Sequence, residues 1–312
     1  MPTLDLNQMA RQDLALEQQV LRSVKALKVR PCRVLLAVSG GVDSMVMAEI
    51  LFKWRRGLKL ELAVAHVHHG RASSPKQKLF RERARKFVRA WATKRGLPFF
   101  TNAKAPILRS EGEMREFREG LLLTWAEAAG CEAIAFAHHE DDLLETRLIR
   151  LIRGAGAQGL RAMSKYRGGK FRPLLGLSRA EIEAYARITK LEWVEDPSNR
   201  KTDILRNWLR HEWLPSLETR RPGAVKTLAR SLETVAPRAQ DFDLASCVGL
   251  RRDRLSRALV AQYLKALGLR GYAQTHVDEI LKRVSSPERN LEFDMLGFRF
   301  QVSREFLWAS RV

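Results

Sequence analysis

RVLLAVSGGVDS, residues Arg33 to Ser44, joins an apolar run to a glycine turn and then to a helical pattern. Val34, Leu35, Leu36, Ala37 and Val38 read as a buried strand, and Ser39-Gly40-Gly41-Val42-Asp43-Ser44 as the turn that opens a helix. A strand, a glycine turn and a helix N-terminus together turn backbone N–H groups toward an anion, so the segment predicts a phosphate site. It has neither the spacing of Walker A nor the Gly-x-Gly-x-x-Gly of dinucleotide folds. Adjacent glycines let the backbone close on phosphate oxygens with no Cβ in the way. Ser39 and Ser44 add hydroxyl donors, whereas the anionic Asp43 either holds a Mg²⁺ ion or caps the helix. An ordinary Gly-Gly turn with a plain N-cap is the simpler reading of the same six residues.

Outward from this segment the β–α alternation continues. Apolar runs at Leu60–Val67, Leu97–Thr101 and Ala133–Ala137 are each followed by a longer stretch of helical period. Strands separated by helices predict an α/β fold with a doubly wound, mainly parallel sheet and ligands at the carboxyl ends of its strands. Residues 10–29 read as an amphipathic helix leading into the first strand, Lys78 to Lys94 as a strongly basic helix, and Arg179 to Lys190 as a further helix. A basic, turn-rich stretch around Arg220-Arg221-Pro222-Gly223 divides the chain into domains 1–220 and 221–312, the boundary falling within 217–223. The smaller second domain reads as mainly helical over 224–238 and 251–285, closed by short strands at Leu291–Phe293, Phe298–Val302 and Phe306–Ala309.

The net charge of +21, from 56 Lys and Arg against 35 Asp and Glu, favours a polyanionic partner. Nucleic acid fits better than a membrane surface, because no basic amphipathic anchor and no apolar run of membrane length is present. Cys32, Cys131 and Cys247 are far apart and form no CxxC, which argues against a disulfide framework, a zinc site or an iron–sulfur cluster. The opening MPTLDLNQMARQDL has no signal-peptide core, so the expectation is a cytoplasmic protein.

A second chemical segment follows the fourth strand: Ala137-His138-His139-Glu140-Asp141-Asp142-Leu143-Leu144-Glu145-Thr146. His138, Asp142 and Glu145 stand at i, i+4 and i+7, a spacing that places them on one helical face and predicts a metal or nucleotide site. An acidic first turn that complements the helix dipole accounts for Glu140 and Asp141 but not for this stripe. Arg115 and Arg118, three apart, share a helix face that can meet a phosphate; an exposed face interleaved with Glu113, Glu116 and Glu119 is the alternative. Trp208 and Trp213, at i and i+5, read as core rather than as base-stacking platforms.

Six pieces now stand in one order: SGGVDS, AHVHHGR (Ala65 to Arg71), MREFR (Met114 to Arg118), HHEDDLLETRLIRLIRGAGAQGL from His138, RPLLGLSRAEIEAY (Arg172 to Tyr185) and WVEDPSNRKTDILRNWLRHEWLP (Trp193 to Pro215). Over about residues 30 to 220 the chain resembles the tRNA(Ile)-lysidine synthetase family of the PP-loop ATP pyrophosphatases. The resemblance implies ATP on Ser39, Gly40, Gly41, Val42, Asp43 and Ser44, with the adenosine near His66, and Mg²⁺ on Asp43 and Asp142. It implies that the oxygen on carbon 2 of the wobble cytidine, in the CAU anticodon of tRNA(Ile), attacks the α-phosphorus and releases pyrophosphate. Free L-lysine then displaces AMP to give lysidine. The catalytic set implied is Asp43, Arg115, Arg118, His138, Asp142, Glu145 and Arg206, with Asp142 and Glu145 as the candidates for holding lysine. Arg150 and Arg153 stand on the same helix, open between phosphate contacts and solvated positions.

The chain departs from the family pattern in the VHHGRA loop, where relatives more often carry asparagine before the His-Gly and leucine after it; here His68 takes the asparagine position. The part after 223 is short and matches the compact form of the enzyme, which implies a homodimer among the partners. Its arginines and lysines, Arg220-Arg221, Arg230, Arg238, Arg251-Arg252, Arg254, Arg257, Lys265, Arg270 and Lys282-Arg283, suit phosphate contacts with an RNA stem as a group rather than singly. Thiolating relatives need paired cysteines, and glutamine-dependent ones a further domain; the chain has neither. A basic RNA-binding protein with an inactive nucleotide fold is the remaining alternative, against which the intact SGGVDS stands.

Overall fold

The computed structural model describes residues 6–25, 33–68, 75–102, 111–160, 163–167, 169–196, 205–235, 250–251, 257–267, 269, 272–286, 291–302 and 306–311. Cys32, Cys247, Arg71, Arg238, Arg252, Arg254 and Arg270 lie outside these residues. The first sheet is built from β1 (Arg33–Ala37), β2 (Glu61–His66), β3 (Phe99–Thr101), β4 (Ala133–Ala135), β5 (Tyr166–Arg167) and β6 (Lys170–Phe171). Their order is β3-β2-β1-β4-β6-β5, five parallel strands with β5 as an antiparallel edge. The chain runs outward from β1 through β2 to β3, then crosses back to β4 on the other side of β1. That reversal makes the carboxyl ends of β1 and β4 a topological switch point, where open α/β sheets bind ligands.

Both faces of the sheet are covered, which is why β1 is apolar without a break. Successive side chains alternate between two cores. Val34, Leu36, Leu62 and Val64 pack with α1 (Leu6–Lys25), α2 (Val42–Leu58), α3 (Pro75–Lys94) and α6 (Arg179–Ile188), while Leu35, Ala63, Ala65 and Ile134 pack under α4 (Glu111–Ala128). Cys131 belongs to the second of these cores; burial pushes its thiol up to about 12, an inert side chain rather than a reactive one.

One buried carboxylate ties three helices of the first core together. Glu17 of α1, 2% exposed, accepts hydrogen bonds from Lys53 Nζ at 2.7 Å, Trp54 Nε1 at 2.7 Å and Tyr185 Oη at 2.8 Å. Burial raises its pKa, but these donors outweigh burial and hold it below the ordinary value of 4.5. Its folded pKa is depressed, so its contribution to stability is complete above 4.5 and is lost as the pH falls through the folded value. Glu17→Gln is expected to cost about 2 kcal/mol at pH 7, and urea midpoints should show the gap to wild type narrowing toward pH 3.

Helix α5 (Glu140–Ile152) meets a long helix that begins as α7 (Leu205–Trp208), passes through a π turn at Leu209–Trp213 and continues as α8 (Leu214–Arg220). Leu144, Leu148, Leu209 and Leu214 pack there with Leu232 of α9 (Ala224–Val235), and Trp208 and Trp213 lie against the same cluster, as core. The sequence division at 217–223 therefore separates α8 from α9, two helices that share one cluster. A second cluster begins with α10 (Arg257–Ala266) and α11 (Gln274–Val284). These pack on an antiparallel sheet of β7 (Leu250–Arg251), β8 (Leu291–Met295), β9 (Phe298–Val302) and β10 (Phe306–Arg311), ordered β7-β10-β9-β8. The expected helix over 251–285 thus gives its first residue to β7, because Arg251 pairs with Phe306 of β10.

Candidate active site

Ser39 to Ser44 leave the carboxyl end of β1 and enter α2. Ser44 Oγ is the hub of the turn. It accepts the N–H groups of Ser39 and Gly40, each at 3.2 Å, lies 3.1 Å from Ser39 Oγ and donates to the Gly41 carbonyl at 2.9 Å. The Gly41 N–H donates to Ser39 Oγ at 3.3 Å. Three successive N–H groups thus turn onto hydroxyls of the loop, two onto Ser44 Oγ and one onto Ser39 Oγ, in a glycine turn of the kind that receives phosphate oxygens. The N-cap is Gly41, so Asp43 stands inside the first turn and does not cap the helix.

Asp43 faces the start of α5. His139, 1% exposed, is the N-cap of α5, and its Nε2 lies 3.9 Å from Asp43 Oδ1 and 3.4 Å from Asp142 Oδ2. On the other side of the ring, Nδ1 lies 3.3 Å from Asp141 Oδ2, which also accepts the Arg179 N–H at 2.8 Å. Burial opposes a charged imidazole, yet the Asp141, Asp142 and Asp43 carboxylates outweigh it and raise the His139 pKa. Asp141 answers in the opposite sense: burial pushes it up, but His139 and the Arg179 N–H bring it down to about 2. Burial raises the pKa of Asp43, helped by Asp142 and only partly offset by His139 and Arg179, whose Nη1 is 3.7 Å away. Asp43 Oδ1 is buried and has no hydrogen-bond partner among the described residues.

Beside this cluster a cavity of about 200 Å³ opens between the ends of β1, β2 and β4, lined by Ser39, Asp43, Ser44, Arg118, Phe136 and His138 among others. His138 stacks on Phe136 at 5.8 Å between ring centroids. Burial lowers its pKa to about 4, with Arg172, Arg118 and Arg206 acting in the same direction against Asp142, so the ring is neutral near pH 7. Arg210 grips both acids of α5. Its Nε and Nη2 donate to Glu145 at 2.6 and 2.9 Å, and Nη2 reaches Asp142 Oδ1 at 3.0 Å.

Comparison with known proteins fits this geometry. Residues 13–217 match the PP-loop domain family. The chain is 39% identical over 312 residues to the tRNA(Ile)-lysidine synthase of Bdellovibrio bacteriovorus, covering 95% of this chain and 96% of that one. The chain belongs to the tRNA(Ile)-lysidine synthase family. It is also 40% identical to the synthase of Geobacter sulfurreducens over 70% of its own length, but spans only 48% of that longer protein. The fold is shared with a solved U34-tRNA thiolase, NcsA from Methanococcus maripaludis, with a TM-score of 0.57 and 17% identity over 74% of this chain and 81% of that one.

As a member of the lysidine synthase family the chain is an enzyme, and its PP-loop domain belongs to an ATP-utilising family. Of the residues expected from sequence, the structure brings together Ser39, Gly40, Gly41, Asp43, Ser44, Arg118, His138, Asp142, Glu145 and Arg206, whose Nη2 donates to Thr146 Oγ1 at 3.1 Å. Val42 is buried as the first residue of α2. His138 is close to Asp142, but not by helical phase: α5 begins at Glu140, so His138 precedes the helix. Arg115 is set apart, 68% exposed and paired with Glu119 at 3.2 Å, while Arg118 faces the cavity. The His66 ring lies beside the cavity rather than in it, buried and 2.9 Å from the Val38 carbonyl; its neighbours Ala65 and Val67 line the wall. His139, Arg179 and Arg210 were not singled out by sequence reasoning. The spacing of Arg210, four residues after Arg206, was the one available signal.

The two glycines of the loop differ in their need for a missing side chain. Gly40 has φ +95°, and a Cβ there would come within 3.4 Å of Val88 Cγ2. Gly41, at φ −73°, would only touch Ser39 Oγ at 3.5 Å. Gly40→Ala is expected to strain the turn by about 1–2 kcal/mol and to raise KM for ATP about tenfold, whereas Gly41→Ala should leave the melting temperature unchanged. Steady-state kinetics beside thermal melts check both. Among the described residues, no helix is long and apolar enough to cross a membrane.

Proposed function

We propose that the chain ligates free lysine to carbon 2 of the wobble cytidine in the CAU anticodon of tRNA(Ile), through an adenylated cytidine, releasing pyrophosphate and AMP. The observation that carries this reading is the meeting of two segments at the switch point, where Asp43 of the phosphate loop and Asp142 of α5 flank one imidazole edge. A phosphate cradle and a cation-binding acid pair in one crevice are what adenylation followed by amine attack requires.

In this reading the N–H groups of Ser39 to Gly41 and the N-terminus of α2 hold the ATP phosphates. Arg118 offsets charge that grows at the α-phosphate. Asp43 fits a Mg²⁺ ligand, because its buried Oδ1 is unpartnered among the described residues and Mg²⁺ is commonly held by one or two carboxylates together with phosphates. Asp142 fits that role less well, since Oδ1 accepts from Arg210 and Oδ2 from the His139 N–H at 3.2 Å. Bound there, the ion would withdraw charge from the phosphates. Among the described residues no group of three or more His, Cys, Asp or Glu side chains is arranged to hold a metal by itself.

Asp142 takes the lysine ammonium, Glu145 beside it holds the neighbouring cation Arg210, and neutral His138 offers a ring nitrogen as a proton acceptor. The basic surface, with the small domain from about residue 221 as its outer part, positions the RNA by phosphate contacts. Arg257 and Arg283 are held in ion pairs with Asp278 and Glu279, each at 2.7 Å, so these two are weaker candidates for such contacts. A homodimer and a cytoplasmic location complete the proposal.

The test is incorporation of radiolabelled lysine into a CAU-anticodon tRNA(Ile) transcript with and without ATP. Label that enters only with ATP is the expected result. Pyrophosphate release without incorporation would keep the adenylating step and reject lysine as the nucleophile.

A further inference from the structure

Arg210 occupies a seat that the proposed reaction also needs. Its guanidinium is forked onto Glu145 and bridges to Asp142, and Glu145 is 1% exposed against 14% for Asp142 and 20% for Arg210. A bidentate pair of this kind fixes direction as well as charge. Arg206 stands close by, with Nε 3.9 Å from Glu145 Oε2, so Glu145 keeps a second cation in reach when Arg210 shifts. Among the described residues, Asp142 Oδ1 has no such reserve: Arg210 holds it, while Oδ2 accepts the His139 N–H.

We propose that Arg210 is a tethered stand-in for the substrate ammonium group. It holds the two carboxylates in place, and lysine enters by exchanging with it at Asp142 while Glu145 retains the guanidinium. Arg210 is thus a positioning and selectivity residue that acts through the acids rather than on the reacting atoms. The exchange selects for a charged side-chain end. A neutral amino acid of equal length that displaced Arg210 would leave Asp142 uncompensated in a half-dry site. The identity of the ligand rests on the proposed lysidine reaction; the competition itself rests on the geometry.

Calorimetric titration of lysine into the full chain tests the exchange without turnover or tRNA, with norleucine as the neutral control. The double variant Arg210→Met/Glu145→Gln replaces the ion pair by neutral groups of similar size and removes the competitor from Asp142. Lysine affinity is expected to rise about tenfold, the weight of one charge-assisted hydrogen bond that no longer has to be displaced, and norleucine should stay unbound. Arg210→Lys keeps the charge but loses the fork, and should tighten lysine binding by a smaller factor in the same direction. Equal or weaker lysine binding by the folded variants, or no binding by any form, overturns the proposal. Failure of labelled lysine to enter tRNA is a separate result, and bears on the reaction instead.

Discussion

Asp43→Ala is expected to lower pyrophosphate release by at least about 10²–10³-fold, the scale on which loss of a single electrostatic group at a reacting centre is felt. Stability should move the other way. The carboxylate is largely buried, its Oδ1 accepts no hydrogen bond among the described residues, and burial together with Asp142 outweighs the attraction of His139 and Arg179. Removing such a charge relieves a desolvation penalty, so the melting temperature should hold or rise. The combination of lost activity and an unharmed fold marks a residue kept for its chemistry. Pyrophosphate assays beside thermal melts of wild type, Asp43→Ala and Asp43→Asn decide the matter. An active alanine variant would remove Asp43 from the mechanism, and an unfolded one would make it structural.

Arg210→Ala is expected to produce the largest loss of stability of any single change in the site, about 3–5 kcal/mol. The reason is Glu145, whose side chain is 1% exposed and would lose its bidentate partner. Burial already raises the Glu145 pKa despite Arg210, and Arg206, with Nε 3.9 Å away, is beyond hydrogen-bond reach and cannot replace the lost fork. Glu145→Gln in the Arg210→Met background should recover most of the loss, because a matched neutral pair leaves no buried charge behind. A double-mutant cycle in urea measures the coupling. A cost under about 1 kcal/mol for Arg210→Ala would place the guanidinium in the class of exposed surface pairs.

The parts of this molecule that were legible in sequence are those whose physics is local. The apolar run before Ser39 and the glycine turn after it specify a strand, a turn and a helix start within a dozen residues, and β1 and α2 stand there. The β–α alternation carried the sheet for the same reason. His138 was linked to Asp142 for the wrong cause: proximity comes from the chain leaving β4, and the helix starts two residues later than the stripe assumed. His139 was missed because its importance lies in Asp43, nearly a hundred positions away and brought near only by the pairing of β1 with β4. Arg115 and Arg118 carry the same charge and the same spacing from glutamates, so sequence could not say which one faces the cavity. The boundary within 217–223 rests on a basic, turn-rich stretch, and in the structure that stretch lies between α8 and α9, whose residues meet in one cluster that only the folded chain assembles.

The π turn at Leu209–Trp213 has a consequence for how this helix tolerates change. In a regular α-helix, residues five apart are rotated by about 140°, and Leu209 could not share a cluster side by side with Leu214, nor Trp208 with Trp213. The wider turn absorbs that offset, so all four join the cluster that holds Leu144 and Leu148 of α5. It works as a phase adjuster: upstream, the helix aims Arg206 and Arg210 at acids, and downstream it aims Leu214 at grease. Losing one residue between 209 and 213 would close the wide turn into an ordinary α turn with the flanking faces nearly in phase, whereas a residue lost elsewhere in the helix would turn everything beyond it by about 100°.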